Sequence, residues 1–488
     1  MRNDRLRHFA EKRGVTGPSW SSRALRLCLA ACVLAIPSSA RARQSATHEA
    51  GQANPASAPH TPADAPTAQV QPAPKPPIPN RANELLPSWI RVRGEFRERM
   101  EGFDGAGFDD AREDLYWLSR FRFDARVTPS KMLAFYAQVQ DARVGKKTVG
   151  PTGAPFRAPF DLRMAFADIG SASSPVSVRL GRQELVYGEQ RLVGHVSWLN
   201  AARTFDAAKI TIRTALFQVE AFGASLVRIL DGEIDRSGAG NRFAGVYATT
   251  TTFVPRSTIE PYVFFKRDVR LRGESGSIGD LNETTVGVRI VGKLLPRLDY
   301  GTEMAVQRGS LGPEEVQAWA GHWRLRSSLP GPGAARLTGE YNYASGDEDP
   351  TDGIRGTFDQ LYPTPHDKYG LADQVGWKNI HHLRAGFELT PLSGLPITTN
   401  YHSWWLASRR DALYAAGSAV LARINDGATS SHVGHELDFQ IARPITPQIQ
   451  LAAGYAHIFT GDFLKQATPG ASYSHPYVLV TYVFLAER

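Results

Sequence analysis

Residues 89–100 read WIRVRGEFRERM, a segment in which solvent preference changes almost residue by residue. Ile90, Val92 and Phe96 share one parity, whereas Arg91, Arg93, Glu95, Arg97 and Arg99 share the other. Successive side chains of a strand point to opposite faces, so a strand here has one apolar and one densely charged face. A soluble sandwich could turn a single such face to water. The next segment repeats the pattern, with Leu115, Trp117, Phe121, Phe123, Ala125 and Val127 opposed to Arg120, Arg122, Asp124 and Arg126. Beyond the tight link at 128–131, Leu133, Phe135, Ala137 and Val139 alternate with Tyr136, Gln138 and Gln140. Recurrence of this kind predicts a wall between lipid and a wet, charged lumen.

The net charge of +8 over 488 residues would suit a nucleic-acid binder, but its position argues otherwise. Residues 1–43 hold nine Lys/Arg against Asp4 and Glu11, which leaves +1 for the remainder. A basic start, an apolar stretch at 24–36 and small residues ending at Ala40 or Ala42 read as a secretory signal peptide over 1–42. Leu29-Ala30-Ala31-Cys32 resembles a lipoprotein box, but the apolar run continues past the cysteine. Cys28 and Cys32 are the chain's two cysteines. Cleavage would therefore leave a cysteine-free protein, without disulfides, thiol nucleophiles or thiolate metal ligands. No apolar stretch elsewhere is long enough for a membrane helix, so membrane insertion requires a closed barrel. Residues 43–87, rich in Ala, Pro, Gln and Thr, read as a disordered periplasmic segment.

From residue 88 the sequence predicts an all-β transmembrane antiparallel barrel of about eighteen strands in the bacterial outer membrane. After the first three, strands are expected near 160–170, 175–187, 202–214, 217–229, 241–254, 257–270, 283–294, 298–308, 315–328, 335–345, 378–390, 396–408, 431–443, 448–460 and 475–485. The links between them alternate in length almost throughout. Short ones include 129–130, 255–256 and 444–447; long ones include 101–113, 145–159, 188–201, 271–282, 346–377 and 409–430. Short periplasmic turns and long external loops are the habit of outer-membrane barrels. Tyr477, Leu479, Tyr482 and Phe484 resemble the C-terminal strand recognised by barrel assembly machinery, although the chain continues to Arg488.

Parity places Arg91, Arg93, Glu95, Arg97, Arg99, Arg120, Arg122, Asp124 and Arg126 in the lumen. Asp161, Arg163, Arg179, Arg182, Lys266, Arg384 and Asp438 are further candidates for the substrate pathway. Arginine rings select anions and pair with carboxylates, and interspersed acids prevent tight trapping. The same residues could instead stiffen the wall through salt bridges. The first long loop, with Glu101, Asp104, Asp109, Asp110, Glu113 and Asp114, suggests an acidic mouth above a basic bore. His381, His382, His402 and His435 with Ser403 or Ser431 are raw material for catalysis, but no nucleophile motif surrounds them. No metal site or cofactor is expected.

Two segments are too specific for a generic wall or loop: 180–194, and the long connection 345–379, whose aromatics and glycines argue against disorder. Gly181-Arg182-Gln183-Glu184 in the first, Thr357-Phe358-Asp359-Gln360-Leu361-Tyr362-Pro363 in the second, and Val433-Gly434-His435-Glu436-Leu437-Asp438 carry a family resemblance. With them, residues 88–488 resemble the alginate-export family of outer-membrane barrels. The resemblance implies an eighteen-stranded monomer with an arginine-rich constriction through which a polyuronate passes outward. The partners expected are an anionic polysaccharide or small anions, outer-membrane lipid and lipopolysaccharide, the assembly machinery and periplasmic export components. A general small-anion porin is the alternative in the same class. An adhesin using the long external loops is the alternative in another.

Overall fold

The computed structural model describes residues 82–485. The signal peptide, both cysteines and most of the Pro/Ala-rich segment lie outside the described residues. Eighteen strands form the wall: β1 Ile90–Asp104, β2 Glu113–Ser130, β3 Leu133–Gly145, β4 Ala158–Ile169, β5 Val176–Gln183 and β6 Phe205–Arg213. They continue as β7 Gln218–Arg228, β8 Arg242–Thr249, β9 Ser257–Arg272, β10 Ile278–Leu295, β11 Leu298–Leu311 and β12 Glu314–Ser328. The last six are β13 Arg336–Ala344, β14 Ile380–Leu389, β15 Ile397–Leu406, β16 His432–Pro444, β17 Ile449–Thr460 and β18 Tyr473–Phe484.

Each strand pairs antiparallel with its neighbours in sequence, and β1 pairs with β18 from Gly94↔Phe484 to Asp104↔Ser474, which closes the barrel. Closure matters because an open sheet edge in hydrocarbon would leave a row of backbone groups unbonded. At the closing seam a Cβ on Gly94 would lie 2.0 Å from the Phe484 ring, so only glycine lets that ring lie across the junction. Asn83, in the short helix Ala82–Leu85, bonds both backbone groups of Val92 below the seam.

Alternation sets the two faces as the sequence predicts. Phe96, Leu115, Trp117, Phe121, Phe135, Val286, Trp319 and Phe439 are exposed on the outer surface, while Arg97, Arg120, Arg122 and Gln140 are buried inside. His381 and His435 also face outward, each bonded to a tyrosine hydroxyl, Tyr341 and Tyr401. Aromatic groups with polar tips suit the membrane–water boundary.

Three expectations change. The connection at 271–282 is not a long loop: β9 and β10 run on to leave only 273–277. Glu101 is not in the acidic mouth but inside the barrel, bonded to Arg99 at 2.7 Å and to the Tyr116 hydroxyl at 2.6 Å. The interior is also not uniformly wet. Phe222, Phe243, Tyr247, Tyr262 and Phe264, from β7, β8 and β9, form an inward aromatic cluster with Tyr187 and Tyr362. Alternation reports only which face a residue takes. Around Phe243 and Phe264 both parities are apolar, with Val246 and Phe265 outside, so parity gives little contrast there although Glu260 and Lys266 mark the inward face of β9.

The outer face yields a direct test. Phe121→Arg should destabilise the folded barrel by about 2–4 kcal/mol, the penalty for a guanidinium deep in lipid. Unfolding in lipid vesicles measures it; a loss under 1 kcal/mol would mean that Phe121 does not face hydrocarbon.

Candidate functional site

Two external loops fold into the bore and join there. The first, 184–204, follows β5; the second, 345–379, follows β13. Val193 and Tyr362 form a parallel bridge, with Gly194 N–H donating to Tyr362 O and Tyr362 N–H to Leu192 O, both at 2.8 Å. Leu185, Leu192, Val193, Phe358, Leu361, Tyr369 and Trp377 are buried in one apolar cluster that includes the aromatic sector of the wall. The Trp198 ring stacks on His366 at 3.8 Å and carries the Arg99 guanidinium on it, also at 3.8 Å.

Wall side chains hold these loops by bonding their backbone. Gln307 accepts from Asp359 N–H at 2.8 Å and donates to Asp359 O at 2.6 Å. Lys266 pairs with the Asp359 carboxylate at 2.6 Å. Burial would raise the Asp359 carboxyl, but Lys266 and Lys378 hold it well below its ordinary range. Asp438 accepts from Leu371 N–H and pairs with His402 at 3.0 Å, and Glu436 accepts from Ala372 N–H. His402 in turn bonds His382, which bonds Asn342, so one polar residue from each of β13 to β16 joins a buried belt.

The arginines of β1, β2 and β4 form the opposite sector. Arg97 donates to Ser197 O, Trp198 O and Leu199 O, Arg120 to Ser197 O and Leu199 O, and Arg99 to Trp198 O at 2.6 Å. Arg120 also pairs with Glu95 at 2.6 Å. Arg163 bonds Gln138 at 2.6 Å and pairs with Glu184. Asp124 accepts from Gln138 at 3.0 Å. Arg122 donates through Nε to Gln140 at 2.8 Å, but its buried Nη2 has no hydrogen-bond partner. Among the described residues neither Arg97 nor Arg122 has a carboxylate within 4.0 Å, whereas Arg99, Arg120 and Arg163 each have one. The cluster thus keeps positive charge that its own acids do not cover.

The remaining predicted residues divide between vestibule and wall. Toward the periplasmic end Arg93 is exposed, Arg91 donates to Pro87 O, and Arg126 and Arg179 share Asp168 at 3.4 and 2.6 Å. Arg384 lies inside, bonded to Asn400 at 3.0 Å. Asp161 faces inward and accepts from Asp235 N–H of the 229–241 loop at 3.0 Å. Arg182 corrects its expectation. It shares parity with the outward Leu180 and sits in the wall where β4 and β5 part, bonded to Asp206, Leu162 O and Asp235 O. Its neighbour Gln183 takes the inward position instead and is fully buried.

Sequence reasoning missed Glu189, Arg191, His322 and Arg324, which meet inside the barrel with Arg289. The only signal was that 180–194 looked too specific for an ordinary loop. Nothing in alternation says that a loop turns inward. Among the described residues no group of three His, Cys, Asp or Glu is placed to hold a metal ion.

Gln307→Ala removes both bonds to Asp359, at about 1 kcal/mol each, so opening of the second loop should become roughly thirty times more frequent. Limited proteolysis of the folded barrel should then show faster cleavage within 357–379. Unchanged cleavage would show that the apolar contacts alone hold the loop.

Residues 88–478 match the protein-family model described as alginate export. Solved structures share the fold at low identity. OccK9 (OpdG) of Pseudomonas aeruginosa is 13% identical with a TM-score of 0.57, over 81% of this chain and 98% of that one. OccK3 (OpdO) of the same organism is 12% identical with a TM-score of 0.56, over 81% and 95%. OccAB2 of Acinetobacter baumannii is 12% identical with a TM-score of 0.52, over 80% and 98%. No curated protein matches the chain in sequence.

Proposed function

The chain belongs to the alginate export family of outer-membrane barrels, and on that premise we propose that its channel carries anionic saccharides, alginate-like chains or their fragments, along an arginine-lined path. The observation that carries this reading is the sector of Arg97, Arg99, Arg120, Arg122 and Arg163 on three strands. Two of its members lack a carboxylate partner, and the Arg122 Nη2 is buried without a bond. Arg97 and Arg122 donate to neutral carbonyl and amide oxygens, which leave their charge unbalanced, and an anion in the bore can balance it. The more exposed Arg93, Arg126 and Arg179 toward the periplasm extend the same field to the entrance. The chain then works as a monomer without catalytic chemistry, assembled by the barrel machinery and seated in lipopolysaccharide-bearing lipid.

A second reading has its own support. Two loops bonded to one another inside the bore narrow it, which suits short fragments and small organic anions better than a continuous polymer.

Arg122→Gln tests the reading, because Arg122 bonds the wall rather than a loop and its loss leaves the loop tethers intact. In planar bilayers under a KCl gradient, the native channel should favour chloride. A unit charge about 6 Å from a passing ion is worth about 0.7 kcal/mol in water-like surroundings, so the variant should lose roughly threefold in chloride preference. A native channel that prefers potassium would refute the proposal.

A further inference from the structure

The first loop carries a carboxylate into the bore. Gly188 and Glu189 form the tip of a turn closed by Gln190 N–H to Tyr187 O at 2.9 Å. Gly188 has φ +54, and a Cβ there would lie 3.0 Å from Arg289 Cδ and 3.1 Å from the Tyr247 hydroxyl, so glycine lets the tip approach the far wall. Glu189 Oε1 lies 2.8 Å from Arg324 Nη2 and 3.2 Å from Arg289 Nη2. Its Oε2 lies 3.4 Å from Arg191 Nη2 and 3.8 Å from His322 Nε2. Other acids share these cations: Arg289 also pairs with Glu260, and Arg191 with Glu340 at 3.0 Å. Burial would raise the Glu189 carboxyl, but Arg191, Arg324, His322 and Arg289 hold it well below its ordinary range. About a fifth of the Glu189 side chain and of Arg324 is nonetheless open to solvent, so the cluster can be reached by a solute.

We propose that Arg191, Arg289 and Arg324 form a carboxylate-binding site at which Glu189 stands in for the substrate, so that arriving carboxylates exchange with Glu189 and loosen the loop tip. This rests on the anionic-substrate reading above. Exchange replaces one carboxylate–guanidinium set with another and needs little net free energy. What decides it is concentration. A tethered group competes at an effective concentration of order millimolar, so a monocarboxylate must reach that range. An oligomer with several carboxylates rebinds before it leaves, and acts at a lower concentration. The loop is thereby shut toward neutral solutes and yields to the class of solute that the arginines select.

Hydrogen exchange of the 186–196 segment in detergent-folded full-length protein tests this, with Glu189→Gln beside the native chain. Gln keeps the size and removes the charge. In KCl the native tip should exchange slowly, and the variant at least roughly tenfold faster, since it loses charge-assisted bonds. D-glucuronate at millimolar concentration should speed exchange in the native chain and leave the variant unchanged. Tetragalacturonate should act at a tenth of that concentration or less, and maltotetraose should have no effect. Arg324→Gln, with the same expectation, replaces Glu189→Gln if that variant does not show the heat-modifiable gel mobility of a folded barrel. Native-like exchange in the folded variant, or slower exchange on adding glucuronate, would overturn the proposal. Bilayer selectivity of the same proteins separates the two failures. Chloride preference with an unresponsive tip rejects the exchange alone, whereas potassium preference rejects the anionic-substrate reading.

Discussion

A peptide group in hydrocarbon has no water to bond, and the rest of this structure follows from that constraint. It forces the strands to pair on both sides and β1 to meet β18. Closure then turns the two parities of every strand into two environments. The outer parity must be apolar across the lipid. The inner parity is freed from that demand, and can hold arginines that would be costly anywhere else in a membrane.

The same rule extends to the bore. Two loops enter it, and their peptide groups also need partners. Some come from the bridge between the loops at Val193 and Tyr362. Others come from wall side chains: Gln307 for Asp359, and Arg97, Arg99 and Arg120 for the carbonyls of Ser197, Trp198 and Leu199. The arginine sector therefore has two tasks. It donates to loop carbonyls, which fixes the constriction, and it keeps positive charge beyond what its acids cover. Pathway and structural roles are not exclusive in these residues, and Arg122, whose hydrogen bond goes to Gln140 of the wall rather than to a loop, is where the two can be separated.

The wall was legible because alternation is a local property with a strong physical cause. Phe96 beside Arg97 and Phe121 beside Arg122 declare their faces without any knowledge of the rest of the chain. The strand positions and their number follow from that. The bore was much less legible. Arg182 has the residue type and neighbourhood of a lumen group, but its parity follows Leu180, and only the pairing of β4 with β5 shows the gap that it fills. Glu189 meets Arg289 and Arg324, which lie a hundred residues or more away along the chain. No periodicity encodes such a contact. The inward aromatic sector escaped notice because Phe243, Phe264 and their neighbours are apolar on both parities.

The central claim is that the interior field favours anions. Liposome swelling measures this directly on the native chain, with solutes of nearly equal size and different charge. The account predicts faster entry of D-glucuronate than of glucose, and slowest entry of protonated glucosamine. Glucosamine entering faster than glucuronate would contradict it.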